Sequence, residues 1–127
     1  MQRSFEEAVE ELCKRHPDRY SQDAYFFLRD AFDHTLKNLK DEKDDDNLTA
    51  GQLFLGVCAY ANYQFGPLSE EVLNRWGIFS SRNVGEMVYN LIDMGLFGSR
   101  RDDAKSDFED LGDVHTILTK LFLDRLK

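Results

Sequence analysis

Long apolar runs are missing from this chain. No uninterrupted apolar stretch approaches the roughly 18–20 residues that a helix needs to cross a bilayer. The first residues turn acidic at Glu6 and Glu7, where a secretion signal would become apolar. We therefore expect a cytoplasmic protein that does not enter the membrane.

Cysteine is scarce, and the two cysteines, Cys13 and Cys58, each lie in an apolar pattern of helical spacing. This placement is typical of buried free thiols and not of a disulfide scaffold. Cys13 and His16 could share one helix face, with Cys58, His34 or His115 completing a metal site. Because no second closely spaced pair accompanies them, the sequence favours a buried thiol, and we expect neither metal nor cofactor.

A concentration of positive charge is also absent, since 16 Lys and Arg face 24 Asp and Glu for a net charge of −8. Residues 49–101 carry four acids and four bases, and both flanking segments carry an acidic excess. A non-specific nucleic-acid binder needs a clustered basic surface to displace condensed counterions. The charge pattern therefore disfavours nucleic acid, and the expected partner is another protein or a second copy of the chain.

Motifs of catalysis are not found either. No glycine pattern resembles a phosphate-binding loop, and no serine or cysteine lies in a nucleophile motif. The acidic run at residues 41–48 fails as a calcium loop, because a loop starting at Asp44 needs Gly and Glu where Thr49 and Leu55 stand. We predict a solvated linker there and a protein that is not an enzyme.

Apolar and aromatic residues, in contrast, are plentiful: 42% of the chain is hydrophobic, and ten Phe, five Tyr and one Trp supply large side chains. A chain of 127 residues with this content can bury a core without disulfides or metal. Apolar spacing and helix caps predict a single, mainly α domain, a compact bundle of five or six helices. Its expected parts are an N-terminal helical pair (residues 1–40), the acidic linker (41–48), a three-helix unit (49–111) and a terminal helix (113–127).

The three-helix unit has the element order of a winged helix: a helix, a short helix, a third helix and a possible small β-hairpin at residues 96–111. In such a domain the third helix would present residues of both charges and an aromatic ring to a groove, with two arginines on the hairpin tip. These residues are Arg82, Asn83, Glu86, Tyr89 and Asn90 on the helix and Arg100 and Arg101 on the hairpin. Since winged helices also serve as protein-interaction modules, the fold alone would not decide between nucleic-acid binding or regulation and protein binding.

Several aromatic residues could contact a partner instead of the core. Tyr25, Phe26 and Phe27 are consecutive, so they cannot share one narrow helix face. Tyr63 and Trp76 lie near helix ends, where they either lock a corner or line a partner groove. The candidate interaction surface therefore comprises Tyr25, Tyr63, Trp76, Arg82, Glu86, Tyr89, Arg100 and Arg101. The terminal stripe Ile117, Leu118, Leu121 and Phe122 could pack on this chain or on a second copy.

The sequence resembles a functionally uncharacterised family of small acidic bacterial proteins over most of residues 5–111. The matching residues are Tyr20, Ala24-Tyr25, Gln64-Phe65-Gly66-Pro67, Trp76-Gly77-Ile78, Gly85-Glu86, Val88 and Gly95-Leu96. This resemblance implies a shared fold, and it supplies no activity, cofactor or catalytic residue.

Overall fold

The computed structural model describes residues 4–17, 19–39, 48–96 and 105–125, and this part of the chain is mainly helical, as predicted. Its α-helices are α1 (Phe5–Arg15), α2 (Gln22–Asn38), α3 (Ala50–Phe65), α4 (Ser69–Arg75), α5 (Ser81–Asp93) and α6 (Val114–Arg125). Two 3-10 helices, Gly66–Leu68 and Lys105–Phe108, connect them. None of the described helices combines the length and the apolar character that crossing a bilayer requires.

Polar side chains fix the helix starts that the sequence predicted. Ser4, Ser21 and Thr49 each accept a hydrogen bond from the amide three residues later, at 3.1, 3.3 and 3.1 Å. The Gln52 side chain in turn accepts a hydrogen bond from the Thr49 amide at 2.9 Å, which completes a capping box. Asp113 caps α6 in the same way, accepting from a backbone amide at 2.7 Å. These bonds satisfy amides that have no partner inside the helix.

Helix α3 lies at the centre of the bundle, where α2, α4, α5 and α6 pack against it. Its buried side chains include Leu53, Phe54, Val57 and Cys58. A helix that is apolar on most of its circumference needs neighbours on several sides, which explains this central position. The larger part of the core is therefore organised around one element.

The predicted β-hairpin is wrong for its second half. Residues 105–108 form a 3-10 helix, and the described residues contain only an isolated bridge between Ser80 and Asp113 in place of a strand. Phe108 is fully buried against Gly85 of α5, so the segment is drawn inward and cannot extend along a partner strand. The remainder of the prediction, residues 97–104, lies outside the described residues.

The terminal helix packs on its own chain along one side only. Val114 and Leu118 are buried against the core, and Ile117 and Leu121 are partly buried beside them. Phe122, predicted as part of the same stripe, is 52% exposed. Most of the predicted stripe therefore packs on its own chain, whereas the side chain of Phe122 does not.

Candidate functional site

Three aromatic rings form a continuous surface across α2 and α3. The ring centroid of His34 lies 4.9 Å from that of Tyr60 and 5.6 Å from that of Tyr63, with the His34 and Tyr63 rings stacked. Tyr60 also contacts Phe27, a buried residue of α2, at 5.3 Å between centroids. Because Tyr60 packs on the core, the rings that stack beside it rest on a rigid base.

These rings adjoin a groove between α2 and α3 of about 300 Å³, which we name the α2–α3 groove. Its lining residues are His34, Thr35, Asn38, Leu39, Gln52, Leu55, Gly56, Ala59 and Tyr60. None of them is an acid, a lysine or an arginine, although 31% of the chain is charged. Leu55 is 53% exposed at this groove, and the neighbouring Tyr63 is 74% exposed. The surface is therefore apolar and open.

The close approach of α2 and α3 beneath the groove depends on Gly56. A Cβ atom at this position would lie 2.8 Å from Cγ2 of Thr35, which is closer than carbon atoms can approach. The Thr35 hydroxyl donates to the carbonyl of Ala31 at 2.7 Å and so stays within its own helix. The groove floor is consequently made by backbone and small side chains.

Two of the predicted surface aromatics have structural positions. Tyr25 is 2% exposed, and its hydroxyl accepts a hydrogen bond from Asn90 at 3.1 Å. Tyr25 is therefore part of the core, because α2 buries a face wide enough to include it. Trp76 is half-buried and packs on Phe27 and Phe65, at 5.2 and 5.9 Å between centroids.

The predicted groove-facing side of α5 is largely engaged within the chain. Asn83 donates to the hydroxyl of Tyr20 at 3.2 Å, as Asn90 does to Tyr25, and Glu86 accepts from Arg19 at 3.1 Å. Tyr89 is half-buried, while Arg82 is exposed. Arg100 and Arg101 lie outside the described residues.

The groups with shifted pKa values owe most of these shifts to burial or to a surface contact. Burial raises the pKa of Tyr25 and of the Cys58 thiol to about 12, and it raises the pKa values of Tyr20 and Cys13. The Cys13 thiol donates to a backbone carbonyl of Tyr20 at 3.4 Å. Within the described ranges, no group of three or more His, Cys, Asp or Glu side chains is placed to hold a metal ion. The α2–α3 groove therefore presents mainly aromatic and aliphatic carbon to a binding partner.

Sequence reasoning singled out Tyr63 but missed Leu55, His34 and Tyr60 as parts of one surface. A weak signal was present, because α3 is apolar on nearly all sides and some of that surface has to remain uncovered. Which side remains uncovered depends on where α2 crosses α3, and this is a tertiary property.

Comparison of the chain with protein-family models, curated proteins and solved structures finds no match. The family resemblance drawn from the sequence pattern therefore stays a prediction.

Proposed function

We propose that the chain is a non-enzymatic protein-interaction module that uses the α2–α3 groove and the adjoining Tyr63 as its contact surface. The observation that carries the proposal is the charge-free lining of this groove, beside the exposed side chains of Leu55 and Tyr63, in a chain that is 31% charged. Depletion of charge and enrichment of aromatic residues characterise the central part of protein interfaces.

The fixed position of the rings supports the same proposal. Interface residues that dominate affinity are commonly aromatic, and side chains that are already ordered lose little entropy when a partner binds. Tyr60 is held by Phe27 and by His34, whose centroids lie 5.3 and 4.9 Å away. A partner would therefore meet a preformed aromatic surface.

The expected partner is a protein segment that inserts one apolar side chain into the groove and carries basic residues around it. A volume of about 300 Å³ suits one or two large side chains. The net charge of −8 attracts a basic partner over long range and accelerates association at low salt. The alternative, nucleic-acid binding, stays a prediction.

Selection of a random peptide library against the intact chain tests the proposal. We expect the enriched peptides to be basic and to share an apolar anchor. Leu55→Asp and Tyr63→Ala should each weaken their binding at least about tenfold, since every 1.4 kcal/mol of lost contact is a factor of ten in Kd. Titration calorimetry or fluorescence anisotropy with one selected peptide would measure this change.

Leu68→Asp is the matched control, because Leu68 is 60% exposed and does not line the groove. The Kd of this variant for the selected peptide should stay within about twofold of the wild-type value. A change of that size is smaller than the loss of one ordinary contact would cause. Acidic peptides, or peptides that bind the Leu55→Asp variant as well as the wild type, would contradict the proposal. Circular dichroism of each variant would show that the helices are retained.

A further inference from the structure

A second recess, unrelated to the aromatic surface, brings basic side chains together from three separate elements. Arg19 precedes α2, Arg82 lies in the first turn of α5, and Lys105 begins the 3-10 helix Lys105–Phe108. Together with Glu86 and Glu109 they line a cleft of about 340 Å³, which we name the Arg82–Lys105 cleft. Three bases and two acids meet there in a chain whose acids outnumber its bases.

The acids of the cleft leave part of this positive charge uncompensated. Glu86 accepts a hydrogen bond from Arg19 at 3.1 Å, so its carboxylate is already engaged. Within the described part of the chain, Arg82 and Lys105 have no ion pair, whereas Arg75 pairs with an acid on its own helix. Two cations consequently face the cleft against the single carboxylate of Glu109.

The backbone around the cleft is fastened in place. The Ser81 hydroxyl donates to the carbonyl of Phe108 and accepts from the amide of Leu111 at 3.2 Å, which ties the 3-10 helix to α5. The Phe108 side chain packs directly on Gly85, where there is no Cβ atom to keep the two elements apart. These bonds fix the backbone positions from which the exposed side chains of Arg82 and Lys105 reach the cleft.

The amides of Ser81 and Asn83 in the first turn of α5 already donate to the carbonyls of Gly112 and Ser80, at 3.0 and 3.1 Å. Asn83 accepts from the amides of Phe79 and Ser80 at 2.9 and 3.1 Å, and the Ser80 side chain caps the helix in return. Any anion in the cleft would therefore be held by side chains, and Arg82 offers the planar fork that suits phosphate oxygens.

We propose that the Arg82–Lys105 cleft binds a small phosphate-bearing ligand through Arg82 and Lys105, with Arg19 keeping Glu86 from repelling it. A volume of about 340 Å³ leaves room for a phosphate group and a small organic substituent. Free phosphate and a phosphate monoester share the chemistry that the cleft recognises. The site is independent of the α2–α3 groove.

Amide chemical shifts of the full chain, recorded during titration at constant ionic strength, test this site. Inorganic phosphate and phenyl phosphate are the two probes, with chloride as the control ion. We expect saturable shifts at Arg82, Glu86, Lys105 and Glu109 with at least one probe. Saturation by phosphate alone identifies the ion as the ligand, and tighter saturation by phenyl phosphate identifies a monoester.

Variants of the lining residues sharpen the test. Arg82→Gln and Lys105→Gln should each weaken binding about fivefold or more, because a charged hydrogen-bond donor is lost. Glu109→Gln should strengthen binding, because it removes a negative charge from among the described lining residues. Arg75→Gln, which alters a base outside the cleft, should leave it unchanged. Shifts that rise without saturation, that chloride reproduces, or that persist in the Arg82→Gln/Lys105→Gln double variant would overturn the proposal.

Discussion

Among single residues, Gly56 has the most direct structural consequence. It allows α3 to approach α2 at Thr35, and the groove that we propose as a contact surface lies over this crossing. A glycine inside a helix ordinarily lowers helix stability relative to alanine, so its presence indicates a packing requirement. The sequence placed Gly56 in a helix, but the partner that requires it becomes known only from the fold.

Gly56→Ala should lower the free energy of unfolding by about 1–2 kcal/mol, because overpacking outweighs the gain in helix propensity. Urea denaturation followed by circular dichroism measures this change. Gly51→Ala, in the same helix, is the control, since the nearest atom to a Cβ there is 4.0 Å away. The control should be stabilised by up to about 1 kcal/mol. Equal stabilisation of both variants would contradict the packing argument.

Ser81 is a second residue whose role depends on tertiary contacts. Ser80 caps α5, and Ser81 is the first residue of that helix. Ser81 is fully buried and bonds the backbone at Phe108 and Leu111. A pairing between residues 27 and 30 positions apart cannot be found from local pattern.

Ser81→Ala should lower the free energy of unfolding by about 1–3 kcal/mol, because it leaves a carbonyl and an amide without a partner. The Leu111 amide should also exchange its hydrogen faster than in the wild type, because it loses its bond to the Ser81 hydroxyl. Ser106→Ala, an exposed serine of the 3-10 helix, should change neither measurement. Retained protection of Leu111 in the Ser81 variant would show that the hydroxyl is not the anchor.

Among the elements, helices were predicted well and the hairpin was not. Caps such as Ser21 and Thr49 act within one turn, and Gly77 and Gly95, which follow the ends of α4 and α5, have positive φ angles of 86° and 79°. The segment around Phe108 differs from the helix ends, because its conformation depends on packing against Gly85, a residue of α5 that is distant in the sequence. Local chemistry therefore predicts where helices begin and end, and it does not predict segments that are held by distant contacts.

The contact between α4 and α6 should make stability depend on pH. Glu70 lies 2.6 Å from the Nδ1 atom of His115, and this hydrogen bond, with the attraction of the carboxylate, raises the pKa of His115. A histidine with a raised pKa stabilises the folded chain below its unfolded pKa of 6.5, and this contribution disappears as pH rises through the folded pKa. Both side chains are solvent-exposed, so the effect is small.

We therefore expect the midpoint of urea denaturation to decrease more between pH 6 and pH 8 in the wild type than in His115→Gln. Glu70→Gln should reduce this pH dependence as well, because the carboxylate is the cause of the shift. Identical pH profiles for the wild type and His115→Gln would show that the Glu70–His115 contact does not cause the pH dependence of stability.

For the molecule as a whole, apolar spacing and helix caps predicted the helical class, but they did not predict which apolar and polar side chains would lie on the surface. Burial of Cys58 and of Leu118 followed from the helical spacing of the apolar residues. The same spacing gave no sign that Leu55 would remain open or that α5 would bond the N-terminal helices through Asn83 and Asn90. Each of these outcomes depends on which helices become neighbours.

Phe27 touches both Tyr60, at 5.3 Å, and Trp76, at 5.2 Å between ring centroids. Trp76 is also the single tryptophan of the chain, so all indole emission originates at one point. Only one phenyl ring separates that chromophore from the wall of the α2–α3 groove. A rearrangement of the groove wall should therefore change the fluorescence of Trp76, so that no added label is needed to follow it.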